Sequence, residues 1–181
     1  RWLIDGLRVP VIIGPAASSS TIEVFTQVAK DAKTLIMSPA ATAPAITDLP
    51  DNDLLWRTVP SDQIQAIAMR GLVTEGGFSK VAIVNRDDAY GNGLASAFRM
   101  PFCAASNCTQ DTFFARRYRL QADASLVAAD MTATVQALGD FEPEVIVFIG
   151  FSKDFLQFVK DVARTPSLQD TAVIATDGVR Q

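Results

Sequence analysis

The feature that most constrains this chain is a regular alternation of short apolar runs with longer segments of helical periodicity. Runs that predict strands lie at residues 11–13, 34–37, 55–59, 81–85, 113–118, 145–149 and 171–175. Runs such as 81–85 are almost wholly apolar, so both faces of the strand carry apolar side chains. Strands of that kind occur in parallel sheets that helices cover on both sides. The sequence therefore predicts an α/β fold built on parallel sheets.

Signals at the ends of the helical segments support this alternation. Ser20 and Glu23 have the spacing of a capping box and predict that a helix begins at Ser20. Ser61 is expected to cap a helix over residues 62–75. Pro101 is expected to kink or shorten the helix in which it lies, because proline has no N–H to donate and clashes with the preceding turn.

The chain has 181 residues, of which 49% are hydrophobic and 20% are charged. This length suits one ordinary domain or two small lobes, and the composition excludes disordered and fibrous classes. A boundary is expected near Pro60, because about one strand–helix–strand unit precedes it and a fuller alternation follows it. No apolar run approaches the roughly 18 residues that a transmembrane helix needs.

Charge and the absence of histidine exclude several functions. The net charge is -4, and the longest basic cluster is the short group Arg116, Arg117 and Arg119, so a nucleic-acid partner is not expected. The chain has no histidine, which removes Ser-His-Asp catalysis and histidine-ligated metals. The sequence also lacks a Gly-x-Ser-x-Gly motif, a P-loop and a complete Gly-x-Gly-x-x-Gly. We therefore expect no enzymatic activity.

The two cysteines, Cys103 and Cys108, have four residues between them. Two cysteines without histidine cannot supply the four ligands of a zinc site, and the spacing differs from the C-x-x-C of redox motifs. The pair predicts a small structural disulfide in an oxidising compartment. The alternative is two unpaired thiols in a cytosolic protein.

Five segments directly follow predicted strands and are rich in small or polar residues. They lie at residues 14–20, 38–42, 87–93, 150–152 and 176–178. In open α/β sheets, ligands bind beyond the carboxyl ends of the strands. The first segment leads into a helix and suits an anion such as a carboxylate, although a serine-rich helix cap without a ligand explains it too. Asp177 in the last segment is either a turn former or an acid directed at a ligand cation.

Six stretches, taken together, resemble the type I periplasmic binding proteins, and among them the leucine/isoleucine/valine-binding solute-binding proteins of ABC transporters. No single stretch is specific, but all six follow one another in the order of that family over nearly the whole chain. They are Ile13-Gly14-Pro15 with Ser18-Ser19-Ser20-Thr21, Ser38-Pro39-Ala40-Ala41-Thr42, Trp56 to Asp62, Ala89-Tyr90-Gly91-x-Gly93-Leu94-Ala95, Ile149-Gly150-Phe151 and Thr176-Asp177-Gly178.

The resemblance implies a two-lobed α/β clamshell of doubly wound parallel sheets with the ligand between the lobes. It implies that the chain is a fragment, about half of a full-length member, whose first lobe is incomplete. Residues 1–59 would be part of lobe one, residues 60–181 would be a nearly complete lobe two, and residues 57–62 would cross between them. Pro101 and the cysteine pair depart from the family pattern, and both are expected far from the cleft.

For lobe one, the resemblance implies contacts with the charged ends of an amino acid. Ser18 would help to bind the α-carboxylate. Ala40, Ala41 and Thr42 would contribute backbone and hydroxyl contacts to the carboxylate and the ammonium group.

For lobe two, the resemblance implies contacts that form when the cleft closes. Tyr90 and Phe151 would close over the ligand, and many members of the family have tyrosine at the position of Phe151. Asp177 would pair with the ammonium group, because a charge shielded from water needs an opposite partner.

These implications lead to one main hypothesis and one alternative. The main hypothesis is a non-enzymatic periplasmic or extracellular protein that captures an amino acid or similar zwitterion, needs no cofactor or metal, and delivers its ligand to an ABC transporter permease. Its signal sequence is expected outside this chain, and contact with a membrane would come through a partner or a lipid anchor. The alternative is a ligand-sensing receptor ectodomain of the same fold with no transport role.

Overall fold

The strands of this chain form two separate parallel sheets. A computed structural model describes residues 1–119 and 124–180. The first sheet has three strands and the second has four, and every described strand pair is parallel. We call the first sheet with its covering segments, residues 1–57, the first body, and the second sheet with its helices, residues 62–180, the second body. Residues 58–61 connect the two bodies.

The first sheet has the order β1-β2-β3. Helix α1 follows β1 and continues without a break as a π-helical turn over Phe25–Ala29. The elements are β1 (Val11–Ile13), α1 (Ser18–Val24), β2 (Leu35–Ser38) and β3 (Leu55–Arg57).

Helical segments cover one face of the first sheet. Ile36 and Leu55 on that face pack into a buried cluster with Phe25. On the other face, Ile13 remains 79% exposed and Trp56 53% exposed. Within the described residues, the expectation that helices cover both faces is therefore wrong for this sheet, because the described segments return to the same side.

The second sheet has the order β5-β4-β6-β7, with the most buried strands, β4 and β6, at its centre. Its strands are β4 (Val81–Arg86), β5 (Phe113–Tyr118), β6 (Val145–Ile149) and β7 (Ala172–Ala175), and its helices are α2 (Asp62–Glu75), α3 (Ala89–Ser106), α4 (Ala124–Phe141) and α5 (Ser152–Val162).

Alternate residues of β4 face opposite helix layers. Ile83 belongs to the cluster formed with α2 and α3, which includes Leu94. Val84 belongs to the cluster formed with α4 and α5, which includes Leu138 and Phe158. The same alternation in β6 makes the second body a sheet between two helix layers, so the predicted α/β class with parallel sheets is confirmed.

The helix starts and ends agree with the sequence in part. Ser61 caps α2, since its hydroxyl accepts a hydrogen bond from the Gln63 N–H. Helix α3 continues through the exposed Pro101 to Ser106, so Pro101 does not shorten it. Helix α1 begins at Ser18 rather than at Ser20.

The early start of α1 has a local cause. Its N-cap, Ala17, has no side chain that could accept a capping bond. Thr21 instead donates its hydroxyl to the carbonyls of Pro15 and Ala17, both at 3.0 Å, which fixes the chain just before the helix.

Cys103 and Cys108 form a disulfide at the end of α3. Asn107 ends the helix in the left-handed region, with φ of 49°, and so turns the chain back toward Cys103. Both sulfur-bearing side chains pack against the core cluster of α2 and α3. In the part of the chain that the structure describes, no helix is long and apolar enough to cross a membrane.

Candidate functional site

A cavity of about 180 Å³ lies where the loops that follow β1 and β2 meet the loops that follow β4, β6 and β7. Each of the five strand-end segments singled out in the sequence supplies at least one lining residue. The lining residues are Ala16, Ala17, Ser18, Ala40, Thr42, Tyr90, Phe151, Asp177 and Gly178.

Two loops of the first body form one wall, and two serines tie these loops together. Ser18 is 3% exposed, and its Oγ accepts a hydrogen bond from the Ala43 N–H at 3.2 Å. Ser38 donates its hydroxyl to the Pro15 carbonyl at 2.6 Å. These bonds hold the start of α1 and the loop after β2 in a fixed relation.

The structure places Ala41 behind this wall rather than in it. Its side chain is fully buried in the core of the first body, and its N–H donates to Ser38 Oγ at 3.0 Å. Ala41 therefore does not line the cavity, whereas its neighbours Ala40 and Thr42 do. The predicted ligand contact at Ala41 stays a prediction, and the Ala41 N–H is already bonded to Ser38.

Two stacked aromatic rings form the opposite wall. The rings of Tyr90 and Phe151 have centroids 5.6 Å apart and planes within 8° of each other. The Arg86 guanidinium lies over the Phe151 ring, 4.1 Å from its centroid. Burial raises the pKa of Tyr90, so its hydroxyl stays protonated and able to donate.

Charged groups hold Arg86 in place behind the aromatic wall. Its guanidinium pairs with Asp88 at 2.6 Å and with Asp154 at 3.2 Å. Asp154 also accepts a hydrogen bond from the Tyr118 hydroxyl at 3.0 Å. This network fixes the cation that supports the Phe151 ring.

Asp177 stands at the cavity edge with a defined orientation. Its Oδ1 lies 3.1 Å from the Tyr90 hydroxyl and accepts a hydrogen bond from the Gln65 side chain at 3.1 Å. The next residue, Gly178, cannot carry a side chain here, because a Cβ would lie 2.6 Å from the Gly150 carbonyl oxygen.

Asp62 is a candidate site residue that the sequence did not single out. It is 1% exposed, and its Oδ2 accepts a hydrogen bond from the Thr42 hydroxyl at 3.0 Å. Among the residues that the structure describes, its Oδ1 is the one buried side-chain oxygen or nitrogen atom without a hydrogen-bond partner. Asp62 lines a neighbouring hollow of about 360 Å³ that shares Ala40, Thr42 and Asp177 with the cavity.

The environment of Asp62 raises the pKa of its carboxyl to about 7. Burial is the largest cause, because it penalises the charged form, and the nearby Asp177 adds to it. The hydrogen bond from Thr42 and the charge of Arg57 oppose the rise. A cation bound beside Asp62 would lower this pKa and give the partnerless oxygen a partner.

Within residues 1–119 and 124–180, no group of three or more acidic or cysteine side chains is placed to hold a metal ion. The groups around the cavity are thus two carboxylates, hydroxyls, backbone amides and aromatic rings. The carboxylates can bind a cation, and the hydroxyls and backbone amides can bind an anion at a separate point of the cavity.

Comparison with known proteins gives the family. The family described as "Receptor family ligand binding region" matches residues 3–179. The chain belongs to this receptor ligand-binding family. The Leu/Ile/Val-binding protein BraC3 of Rhizobium johnstonii is 35% identical over 95 residues, and human metabotropic glutamate receptor 8 is 35% identical over 91 residues.

The fold of this family member agrees with that of a solved structure. The leucine binding protein LivK of Thermotoga maritima superposes with a TM-score of 0.78 over 98% of this chain, at 22% identity. The resemblance to type I periplasmic binding proteins is thereby confirmed, and the family and the fold are those of ligand-binding proteins.

The chain spans only part of each of these proteins. The match with BraC3 covers 52% of this chain and 25% of BraC3. The match with the glutamate receptor covers 50% of this chain and 10% of the receptor. The superposition covers 47% of the LivK chain. The division into lobes at residues 59 and 60 stays a prediction, and residues 120–123 and 181 of the second range lie outside the described residues.

Proposed function

We propose that this family member binds an amino acid, or a similar small zwitterion, in the cavity between its two bodies. The observation that carries the proposal is the buried, partnerless Asp62 oxygen close to Asp177, at one side of a cavity that both bodies line. Two carboxylates near each other in a partly buried site favour a bound cation.

The ammonium group would lie among Thr42, Asp62 and Asp177. Thr42 and Asp177 line both the cavity and the hollow that contains Asp62, so an ammonium group beside Thr42 would lie near both carboxylates. The Tyr90 hydroxyl and Gln65 hold Asp177 in position for this contact.

The carboxylate would lie at the opposite side, against the start of α1. The first N–H groups of a helix have no acceptor within the helix and therefore attract an anion. The Ser18 hydroxyl lines the cavity at the same place, and its oxygen already accepts from Ala43, which leaves its hydrogen for the ligand. Ala40 would contribute backbone contact beside it.

The stacked Tyr90 and Phe151 rings would cover the ligand from the second body. Their faces give the cavity an apolar side that suits an aliphatic or aromatic side chain. Phe151 has no hydroxyl, so its contact with the ligand would be apolar.

We infer that the whole protein acts outside the cytoplasm as a solute-binding protein and delivers its ligand to an ABC transporter permease. The similarity to a Leu/Ile/Val-binding protein and to a leucine binding protein supports this role. The similarity to metabotropic glutamate receptor 8 supports the second candidate, a receptor ectodomain. In both roles the partners are a small-molecule ligand and a membrane protein, with no cofactor.

Thermal unfolding with each of the twenty standard amino acids tests the binding proposal. A ligand at 100 times its Kd stabilises the folded state by about 2.7 kcal/mol, which raises the melting temperature measurably. We expect at least one amino acid to do so. Wild-type protein that neither the twenty amino acids nor close zwitterionic analogues stabilise would contradict the proposal.

Two variants test whether both carboxylates bind the ammonium group of the ligand. Asp62→Asn and Asp177→Asn should each abolish the thermal shift, because each removes a negative charge from the proposed ammonium site. Asp170→Asn is the matched control, since this exposed residue precedes β7 at the end of the strand away from the cavity. A full shift in either site variant would remove that residue from its role.

Uptake of a radiolabelled amino acid separates the two candidate roles. Cells that lack the gene for the whole protein should lose uptake if it serves a transporter. Unchanged uptake together with a lost response to the amino acid would favour the receptor.

A further inference from the structure

Gly93 of α3 and Pro44 of the first body meet at a contact that leaves no room for a side chain. A Cβ at Gly93 would lie 2.9 Å from Pro44 Cδ, closer than real Cβ atoms approach other heavy atoms. Pro44 begins a 3-10 turn in the first body, and Gly93 lies in the second turn of α3 in the second body. The contact therefore bridges the two bodies.

Pro44 is held firmly on its side. The Arg57 guanidinium donates to the carbonyls of Thr42 at 3.1 Å and Ala43 at 3.0 Å, and the Ala43 N–H donates to Ser18 Oγ. Ile46, two residues further on, is buried in the core of the first body. These contacts hold the backbone on both sides of Pro44 and so oppose a displacement of its ring.

Gly93 is held equally firmly on α3. Its neighbour Leu94 is fully buried in the core of the second body. Glycine inside a helix is less stable than alanine, and the helical backbone at this position does not require glycine. The close approach of Pro44 thus gives a physical reason for glycine at position 93.

The same two elements carry residues of the cavity. Pro44 comes two residues after Thr42, and Gly93 comes three residues after Tyr90 on the same helix. A second contact lies beside them, where the N–H of Ala89 at the start of α3 donates to Ser19 Oγ of α1 at 3.1 Å. The separation of the two bodies at Gly93 therefore fixes the separation of the cavity walls.

We propose that Gly93 sets how far the cavity closes. A side chain at position 93 would press on the anchored Pro44, move α3 away from the first body, break the Ser19–Ala89 bond and widen the gap between Thr42 and Tyr90. The chain crosses between the described bodies once, at residues 58–61, so the bodies can separate by bending there. The effect on affinity rests on the proposed function, whereas the effect on closure does not.

Distance measurements on the unliganded 181-residue chain test the closure directly. Spin labels on non-natural side chains at exposed Glu23 of α1 and Lys153 of α5 report the distance between the bodies and spare the disulfide. Gly93→Ala and the larger Gly93→Val should lengthen this distance in that order. The matched controls are Gly71→Ala and Gly71→Val, because Gly71 lies in the interior of α2 and a Cβ there meets no atom within 4 Å.

An unchanged distance in both Gly93 variants, or an equal change in the Gly71 controls, would overturn the proposal. In a second arm, L-leucine serves as the probe for binding. Gly93→Ala should weaken its binding at least tenfold relative to Gly71→Ala. Wild-type protein that binds neither L-leucine nor another amino acid would refute the proposed function, while the distance measurement would still decide the role of Gly93.

Discussion

The Thr42 hydroxyl donates to Asp62 Oδ2 at 3.0 Å and so joins the loop after β2 to the first turn of α2. The adjacent backbone repeats this connection, since the Asp62 N–H donates to the Thr42 carbonyl at 2.9 Å. One carboxylate oxygen is thus bonded, and the other is buried without a partner. The free energy of this arrangement depends on whether the carboxyl is protonated.

The first prediction concerns the pH dependence of stability. The pKa of Asp62 is about 7 in the folded chain and 3.8 for an ordinary aspartate, so the folded state binds the proton more tightly than the unfolded state. The contribution of Asp62 to stability is therefore complete below about pH 4 and is lost as the pH rises to about 7. The pKa difference corresponds to about 4 kcal/mol.

Urea denaturation at pH 4 to 8 measures this effect against Asp62→Asn, which cannot ionise. The free energy of unfolding of wild type relative to this variant should fall across that range and then level off. Asp170→Asn should follow the wild-type profile throughout. Parallel profiles for wild type and Asp62→Asn would show that Asp62 does not titrate in this window.

A second prediction compares two buried tyrosines. Tyr90→Phe removes a hydroxyl that lies within hydrogen-bond distance of Thr176 and Asp177, and Tyr118→Phe removes one bonded to Asp154. Each change should lower the free energy of unfolding by about 1–2 kcal/mol, because each removes a buried or partly buried hydrogen bond. Gln65 still donates to Asp177 in the first variant, and Arg86 still pairs with Asp154 in the second.

The two tyrosine variants should differ in ligand binding. Tyr118 does not line the cavity, so Tyr118→Phe should keep the thermal shift produced by an amino acid. Tyr90→Phe should reduce it, because Asp177 loses the hydroxyl that orients it. Equal thermal shifts in both variants would argue against a role for the Tyr90 hydroxyl.

A third prediction concerns the core of the second body. Phe148 of β6 is fully buried, and its ring lies within 4.7–5.8 Å, centroid to centroid, of the rings of Phe158, Phe155 and Tyr118. Phe148→Ala should lower the free energy of unfolding by about 3–5 kcal/mol, since it opens a cavity among these rings. Val159→Ala on the exposed face of α5 should change it by less than about 0.5 kcal/mol. Chemical denaturation gives both values, and similar losses in the two variants would contradict the assigned core.

The sequence predicts the second body well because its strands are long and apolar on both faces. The predicted bounds of β5 and β6 agree with the structure, and those of β4 differ by one residue. The segments that follow the strands can be recognised because the strands themselves are clear. The carboxyl ends of parallel strands lie at one edge of their sheet, so these segments lie at that edge too. The sequence therefore indicates which loops form the cavity.

Burial of single residues around the cavity could not be predicted in this way. Asp62 follows a helix cap, where acidic residues are commonly solvated, and its burial depends on the approach of Thr42 from the other body. Ala41 lies in a small-residue loop, and the sequence does not show that its side chain is buried in the core of the first body. The exposure of one face of the first sheet could not be predicted either, because it depends on which face of the sheet the connecting segments cover.

The last prediction concerns the disulfide. The bond between Cys103 and Cys108 closes a loop of six residues, so loss of the crosslink should lower the free energy of unfolding by only about 2 kcal/mol. Urea denaturation with and without dithiothreitol measures this loss in wild type, and the Cys103→Ser/Cys108→Ser double variant should show no effect of the reductant. The cysteines lie at the end of α3 away from Tyr90, so reduction should leave the thermal shift by an amino acid unchanged. A reductant that abolished the thermal shift would instead connect the end of α3 to the cavity.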